Sequence, residues 1–120
     1  MIETTGLHIN FNAGMATENH ALRGVDLLID EGSFVTVIGS NGAGKSTFLN
    51  SVSGDQSVDS GTIKIDGLDV TKMPVWARSE RVARVFQDPM AGTCEDLTIG
   101  ENMALAQCRG HVFFDGQVFA

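Results

Sequence analysis

The residues Gly39-Ser40-Asn41-Gly42-Ala43-Gly44-Lys45-Ser46 place three glycines, a lysine and a hydroxyl at the spacing G-x-x-x-x-G-K-[ST]. The chemistry this spacing permits is the holding of a polyphosphate. Closely spaced anionic oxygens need a concave array of backbone N–H groups with no side chain in the way. Gly39, Gly42 and Gly44 allow that approach, because glycine takes positive φ at little steric cost. By the mechanics of such a loop, Lys45 reaches the β- and γ-phosphates and the Ser46 hydroxyl holds Mg²⁺. A glycine-rich surface turn matching by chance is the competing account, and it leaves the Lys-Ser pair at the fixed offset unexplained.

A loop of this kind needs a strand before it and a helix after it. Phe34-Val35-Thr36-Val37-Ile38 is a short apolar, β-prone run that reads as a buried strand. Residues 45–52 read as a helix with Gly54 at its C-cap. The unpaired N–H groups and positive dipole end of that helix would grip an anion from a second side. Upstream, Leu7, Ile9 and Phe11 alternate with His8 and Asn10, the period of a half-buried strand, and 24–29 reads as a second strand. The polar connection 12–19 joins them into an antiparallel hairpin. Downstream, 61–65 favours a strand ended by the Asp66-Gly67 turn. Pro74 opens a short helix through 76–78. The run 82–86 reads as a strand that stops before Pro89. Thr98 and Glu101 have capping-box spacing at the head of a helix over 99–108.

Composition narrows the function classes. A chain of 120 residues is one ordinary domain at most. A net charge of −7 argues against a dedicated nucleic-acid binder, which would carry a basic face. Cys94 and Cys108 form neither a C-x-x-C pair nor a zinc pattern, so reduced cytosolic thiols are the reading. His8, His20 and His111 stand in unrelated contexts and are assigned no chemistry. No stretch approaches the roughly 18 apolar residues of a spanning helix, and the first residues lack the basic and apolar regions of a signal peptide.

Taken together, residues 31–38 followed by GSNGAGKST, then Asp59-Ser60-Gly61-Thr62-Ile63 and Val85-Phe86-Gln87-Asp88-Pro89, resemble the first half of an ATP-binding-cassette (ABC) transporter ATPase. The resemblance covers about residues 1–108, and residues 86–105 resemble bacterial importer cassettes of amino-acid systems. It implies an α/β P-loop NTPase fold, an ABC-type core with the N-terminal antiparallel β hairpin beside it, here incomplete with the C-terminal half absent. Residues 1–108 are then a partial nucleotide-binding domain and 109–120 a divergent tail. The implied cofactors are ATP and Mg²⁺, held by Gly39, Ser40, Asn41, Gly42, Ala43, Gly44, Lys45, Ser46 and Thr47. By the same resemblance Gln87 is the Q-loop glutamine that positions Mg²⁺ and the attacking water, Thr47 donates to the α-phosphate, and Phe11 stacks on adenine. An ordinary polar residue at a strand end, a first-turn hydroxyl and a core phenylalanine are the respective bland alternatives.

The family pattern continues with an L-S-G-G-Q signature, a Walker B strand ending in Asp-Glu, a D-loop and a switch histidine, none of which this sequence contains. Val112-Phe113-Phe114-Asp115 resembles Walker B only superficially, lacking the Glu after Asp115, and reads as a chance apolar tail. The resemblance implies permease subunits and a second nucleotide-binding subunit as partners, no nucleic acid, and a cytoplasmic position, peripheral at the inner face of the cell membrane through the permease. Hydrolysis by a chain with only Walker A and the Q-loop is expected to be weak or absent. A soluble ABC protein of repair or translation, or an inactive nucleotide-binding remnant, are the alternatives to an importer subunit.

Overall fold

The computed structural model describes residues 1–108 and the backbone of 112–114 and 117–119. It divides into two compact units, 1–74 and 75–120.

The first unit is a four-stranded antiparallel sheet with one helix. Strands β1 (Ile2–Phe11), β2 (Asn19–Ile29), β3 (Ser60–Ile65) and β4 (Leu68–Asp69) lie in the order β2-β1-β3-β4, and helix α1 spans Lys45–Ser53. The expected hairpin is present as β1 and β2, with Ile2 opposite Ile29 and Phe11 opposite Asn19. Its strands are longer than the alternation at Leu7 and Ile9 foretells, because the pattern breaks. Thr4 is buried, and so are Leu7 and Ile9, a change of parity that a regular strand cannot accommodate. A bulge absorbs it: the register shifts between Thr4 and Leu7, and Gly6 takes φ 56° while its N–H donates to Asp26 Oδ1 at 2.6 Å.

The core is small and continuous. Leu7, Ile9, Leu22, Ile63, Ile65 and Val70 are buried together with Phe48 and Val52 of α1, whose i, i+4 spacing puts them on one helix face. Ser51 between them is fully buried and donates to the Phe48 carbonyl at 2.7 Å. The helix stops at Gly54, left-handed at φ 95°, whose N–H returns to the Asn50 carbonyl. Asp66 and Gly67, both at positive φ, make the tight turn from β3 to β4 that the Asp-Gly pair signals.

Gly61 shows where the β1–β3 seam is closest. It has φ 94°, and a Cβ there would collide with the Gly6 carbonyl oxygen, a backbone atom held in the bulge. Gly67, at φ 79°, has open space instead. Gly61→Ala is therefore expected to destabilise the sheet by about 3 kcal/mol or more, combining left-handed strain with overpacking. Gly67→Ala should cost about 1–2 kcal/mol, the strain alone. Urea titration of the two variants checks the difference, and equal losses would remove the close-approach explanation.

The second unit contains α2 (Val75–Arg78), a 3-10 turn at Pro89–Gly92, α3 (Ile99–Gln107), and a short antiparallel pair, β5 (Val112–Phe114) with β6 (Gln117–Phe119). Helix α3 starts as its sequence requires. Thr98 accepts from the Glu101 N–H, and the Glu101 side chain accepts from the Thr98 N–H, a complete capping box. That backbone donor, with the Thr98 hydroxyl, holds the Glu101 carboxyl below its ordinary range. Asp88 caps the 3-10 turn by accepting from the Met90 N–H at 3.0 Å. The apolar tail is thus a hairpin in its described backbone, while residues 109–111, 115, 116 and 120 lie outside the described residues.

Two expected strands are not formed. Residues 34–38 and 82–86 carry no ladder, and Phe34 and Val85 are each 97% exposed. A run that is apolar on both faces becomes a strand only when neighbours pair both edges and cover both sides. No strand among the described residues pairs with either run. The sheet that does form is antiparallel throughout, since it is built from the flanking hairpin and β3–β4.

Candidate functional site

The Gly-rich loop enters α1 as the spacing requires. Gly42 and Gly44 have φ 83° and 94°, and Ala43 N–H donates to the Ser40 carbonyl at 3.1 Å, closing the turn. Gly44 is the N-cap of α1 and brings no capping side chain, and the first turn holds no acidic residue. The leading N–H groups of α1 are therefore left for a ligand, at the positive end of the helix.

Gly44 has a second constraint that the motif alone does not reveal. A Cβ at this position would lie 2.7 Å from the Ala21 carbonyl oxygen of β2. The hairpin strand is thus a wall against which the loop is pressed. A cavity of about 220 Å³ lies between them. Asn41, Gly42, Gly44, Lys45, Ser46 and Thr47 line one side, and Asn19 and Ala21 of β2 line the other.

Lys45 is folded back within the loop. Its Nζ donates to the Gly39 carbonyl and, at 2.7 Å, to the Ser40 carbonyl. Among the described residues no carboxylate pairs with this ammonium, so a phosphate oxygen is a stronger partner than either carbonyl. Polyphosphate and Mg²⁺ fit this donor set: backbone N–H groups and an ammonium for the anion, the Ser46 and Thr47 hydroxyls beside them. Among the described residues no three His, Cys, Asp or Glu side chains gather into a metal cluster.

The sequence-predicted residues from Asn41 to Thr47, Ala43 excepted, line this cavity; Gly39, Ser40 and Ala43 do not, and the carbonyls of Gly39 and Ser40 accept from Lys45 Nζ. Phe11 does not line it. It is half-buried at the end of β1, paired across the ladder with Asn19. Gln87 belongs to the second unit, in an exposed bend immediately before Asp88. Asn19 and Ala21 were not foreseen, since nothing in a polar connection announces which residue the loop will meet. Another unforeseen residue is Asn102. Its Oδ1 accepts from the Cys94 N–H, and its Nδ2 faces the carbonyls of Cys94, Leu97 and Thr98, tying residues 94–98 to α3.

Comparison with known proteins agrees with this architecture. The family model described as ABC transporter matches residues 22–117. The tyrosine transport ATP-binding protein of Clostridioides difficile (strain R20291) is 39% identical over 110 residues, 92% of this chain and 44% of the relative. The bacitracin export ATP-binding protein of Halalkalibacterium halodurans is 28% identical over 109 residues, 88% of this chain and 42% of the relative. The chain thus spans less than half the length of these curated relatives. Among solved structures, a dimeric ATP-binding cassette in a post-hydrolysis state bound to ADP and phosphate superposes with a TM-score of 0.78 at 26% identity, covering 100% of this chain and 51% of that one.

Proposed function

The chain belongs to the ABC transporter family, and from that premise we propose that it is the nucleotide-binding part of a transporter ATPase subunit, taking ATP with Mg²⁺ at the Gly39–Ser46 loop. The observation that carries this reading is the cavity itself: an uncapped helix N-terminus, glycines at positive φ and an ammonium that donates to loop carbonyls converge on one small space. Such a site selects for a compact, highly charged anion.

Each residue has a role in the proposal. The loop N–H groups and Lys45 hold the β- and γ-phosphates, the Ser46 hydroxyl holds Mg²⁺, and Thr47 donates to the α-phosphate. Mg²⁺, when bound, neutralises phosphate charge as the terminal group is transferred. Phe11 receives adenine, and Gln87 orients water and metal through its side-chain amide, which both donates and accepts. Both assignments rest on the resemblance. Residues 1–108 act as the nucleotide-binding portion and 109–120 as a tail.

The complete subunit would pair with a second nucleotide-binding subunit and sit at the cytoplasmic face of the membrane through permease subunits. Among the described residues no helix is long and apolar enough to cross a membrane. Amino-acid transport is the cargo class favoured by the higher identity to the tyrosine transport protein than to the bacitracin export protein.

Titration with a fluorescent ATP analogue tests the reading. Binding should require Mg²⁺, and steady phosphate release by the 120-residue chain should be negligible, because its sequence after the Gly-rich loop has no signature segment and no Asp-Glu pair to polarise water, the pair Asp30-Glu31 lying before the loop. Binding indifferent to Mg²⁺ would oppose the nucleotide assignment. Turnover that persists through stringent purification would reveal a catalytic group beyond Lys45, Ser46 and Gln87.

A further inference from the structure

Asn19 is the first residue of β2, and its neighbours on the chain, residues 12–18, form the exposed connection of the hairpin. It lines the same cavity as Lys45, Ser46 and Thr47. The other asparagines of the hairpin have committed amides: Asn10 Nδ2 donates to Glu18 Oε1 at 2.7 Å, and Asn12 Nδ2 reaches the Thr17 carbonyl. The Asn19 amide is hydrogen-bonded to no described residue. It is therefore an exposed pair of donors and an acceptor on a residue that lines the cavity and whose backbone is paired with Phe11.

The size of the cavity fixes what such a group would meet. At about 220 Å³ it is smaller than the roughly 300 Å³ at which pockets begin to enclose a whole small molecule. On the nucleotide reading a polyphosphate would take up this space, and the nucleoside would leave across the rim. The loop side of that rim, with its backbone N–H groups and Lys45, would be taken by phosphate. The β2 side offers Asn19 and Ala21, and of these only Asn19 can hydrogen-bond through its side chain. A ribose hydroxyl both donates and accepts, which matches an amide and does not match a methyl group.

We propose that Asn19 is a specificity residue of the site: its amide binds the sugar of the nucleotide and lets the loop prefer a nucleoside triphosphate over inorganic tripolyphosphate. This rests on the nucleotide reading above. Gly44 of the loop lies close against Ala21, two residues along β2 from Asn19. Asn19 acts on affinity for the nucleoside part and leaves the phosphate grip to Lys45.

The test is a pair of titrations on the full chain with Asn19→Ala, using Mg-ATP and Mg-tripolyphosphate as the two probes. The dissociation constant for ATP should rise about three- to tenfold, the loss of one net hydrogen bond, while that for tripolyphosphate stays within about twofold, its grip being left to the loop and Lys45. Asn19→Ser, which keeps a donor and an acceptor, should recover part of the ATP affinity. Unchanged ATP binding in Asn19→Ala overturns the proposal, and so does an equal loss for both probes, which would make Asn19 a structural or phosphate contact. Should the unsubstituted chain bind neither probe, the nucleotide reading itself fails and this proposal with it. A chain that binds both and shows the selective loss supports the two together.

Discussion

Lys45→Ala lowers the affinity for Mg-ATP by about ten- to a hundredfold, whereas Lys64→Ala leaves it within about twofold, each as an expected result of charge-assisted hydrogen bonding to phosphate. The two lysines carry the same charge, so the comparison isolates position. Lys45 opens α1, lines the cavity, and among the described residues its Nζ bonds only to the Gly39 and Ser40 carbonyls. Those carbonyls are released without leaving a buried acceptor, because the loop is exposed to water. Lys64 lies on β3, exposed and opposite Asp69, away from the cavity lining. Its removal changes the general field of an acidic chain, an effect that salt screens over about 10 Å. A fluorescent-analogue titration of both variants at one salt concentration decides the matter. Equal losses would mean that the lysine of the loop contributes only diffuse charge, and the P-loop assignment would be withdrawn.

What could be read from the sequence divides along a physical line. Elements specified by neighbours in the chain were legible: α1 with its Gly54 stop, the Asp66-Gly67 turn, and the Thr98–Glu101 box heading α3 each depend on residues within a few positions. So was the loop, because its glycines act through their own φ angles. Features set by distant residues were not. The parity change between Thr4 and Leu7 depends on Gly6 meeting Asp26, and the need for glycine at 61 depends on Gly6 across the ladder. Asn19 enters the site only because Gly44 meets Ala21. The expected strands at 34–38 and 82–86 failed for the same reason in reverse. Their residue types favour a strand, but β propensity describes a fit to neighbouring strands, and no described strand pairs with them.

Those unpaired runs lead to the second large effect, self-association of the purified 120-residue chain. Phe34-Val35-Thr36-Val37-Ile38 has high β propensity and no charge, and it is without a ladder, with Phe34 97% and Ile38 89% exposed. A segment of five to seven such residues with free edges is a template for pairing with another copy. In the second unit Trp76, Val85, Ile99 and Met103 are also exposed. Against this stands the net charge of −7, within the range that ordinarily keeps a small domain soluble. The charges, however, lie outside the 34–38 run, so they slow encounter without interrupting a ladder once it starts. Edge pairing should prevail as salt screens the repulsion. Size-exclusion chromatography with light scattering is expected to show species larger than the monomer, increasing with protein concentration and with salt. Ile38→Lys, which puts a charge into the run at an exposed position, should shift the distribution toward monomer. The alternative outcome is a monomer at all concentrations with one cooperative thermal transition, unaffected by Ile38→Lys. It would mean that the chain in solution covers residues 34–38 with its own elements, and the exposed run would no longer explain its behaviour.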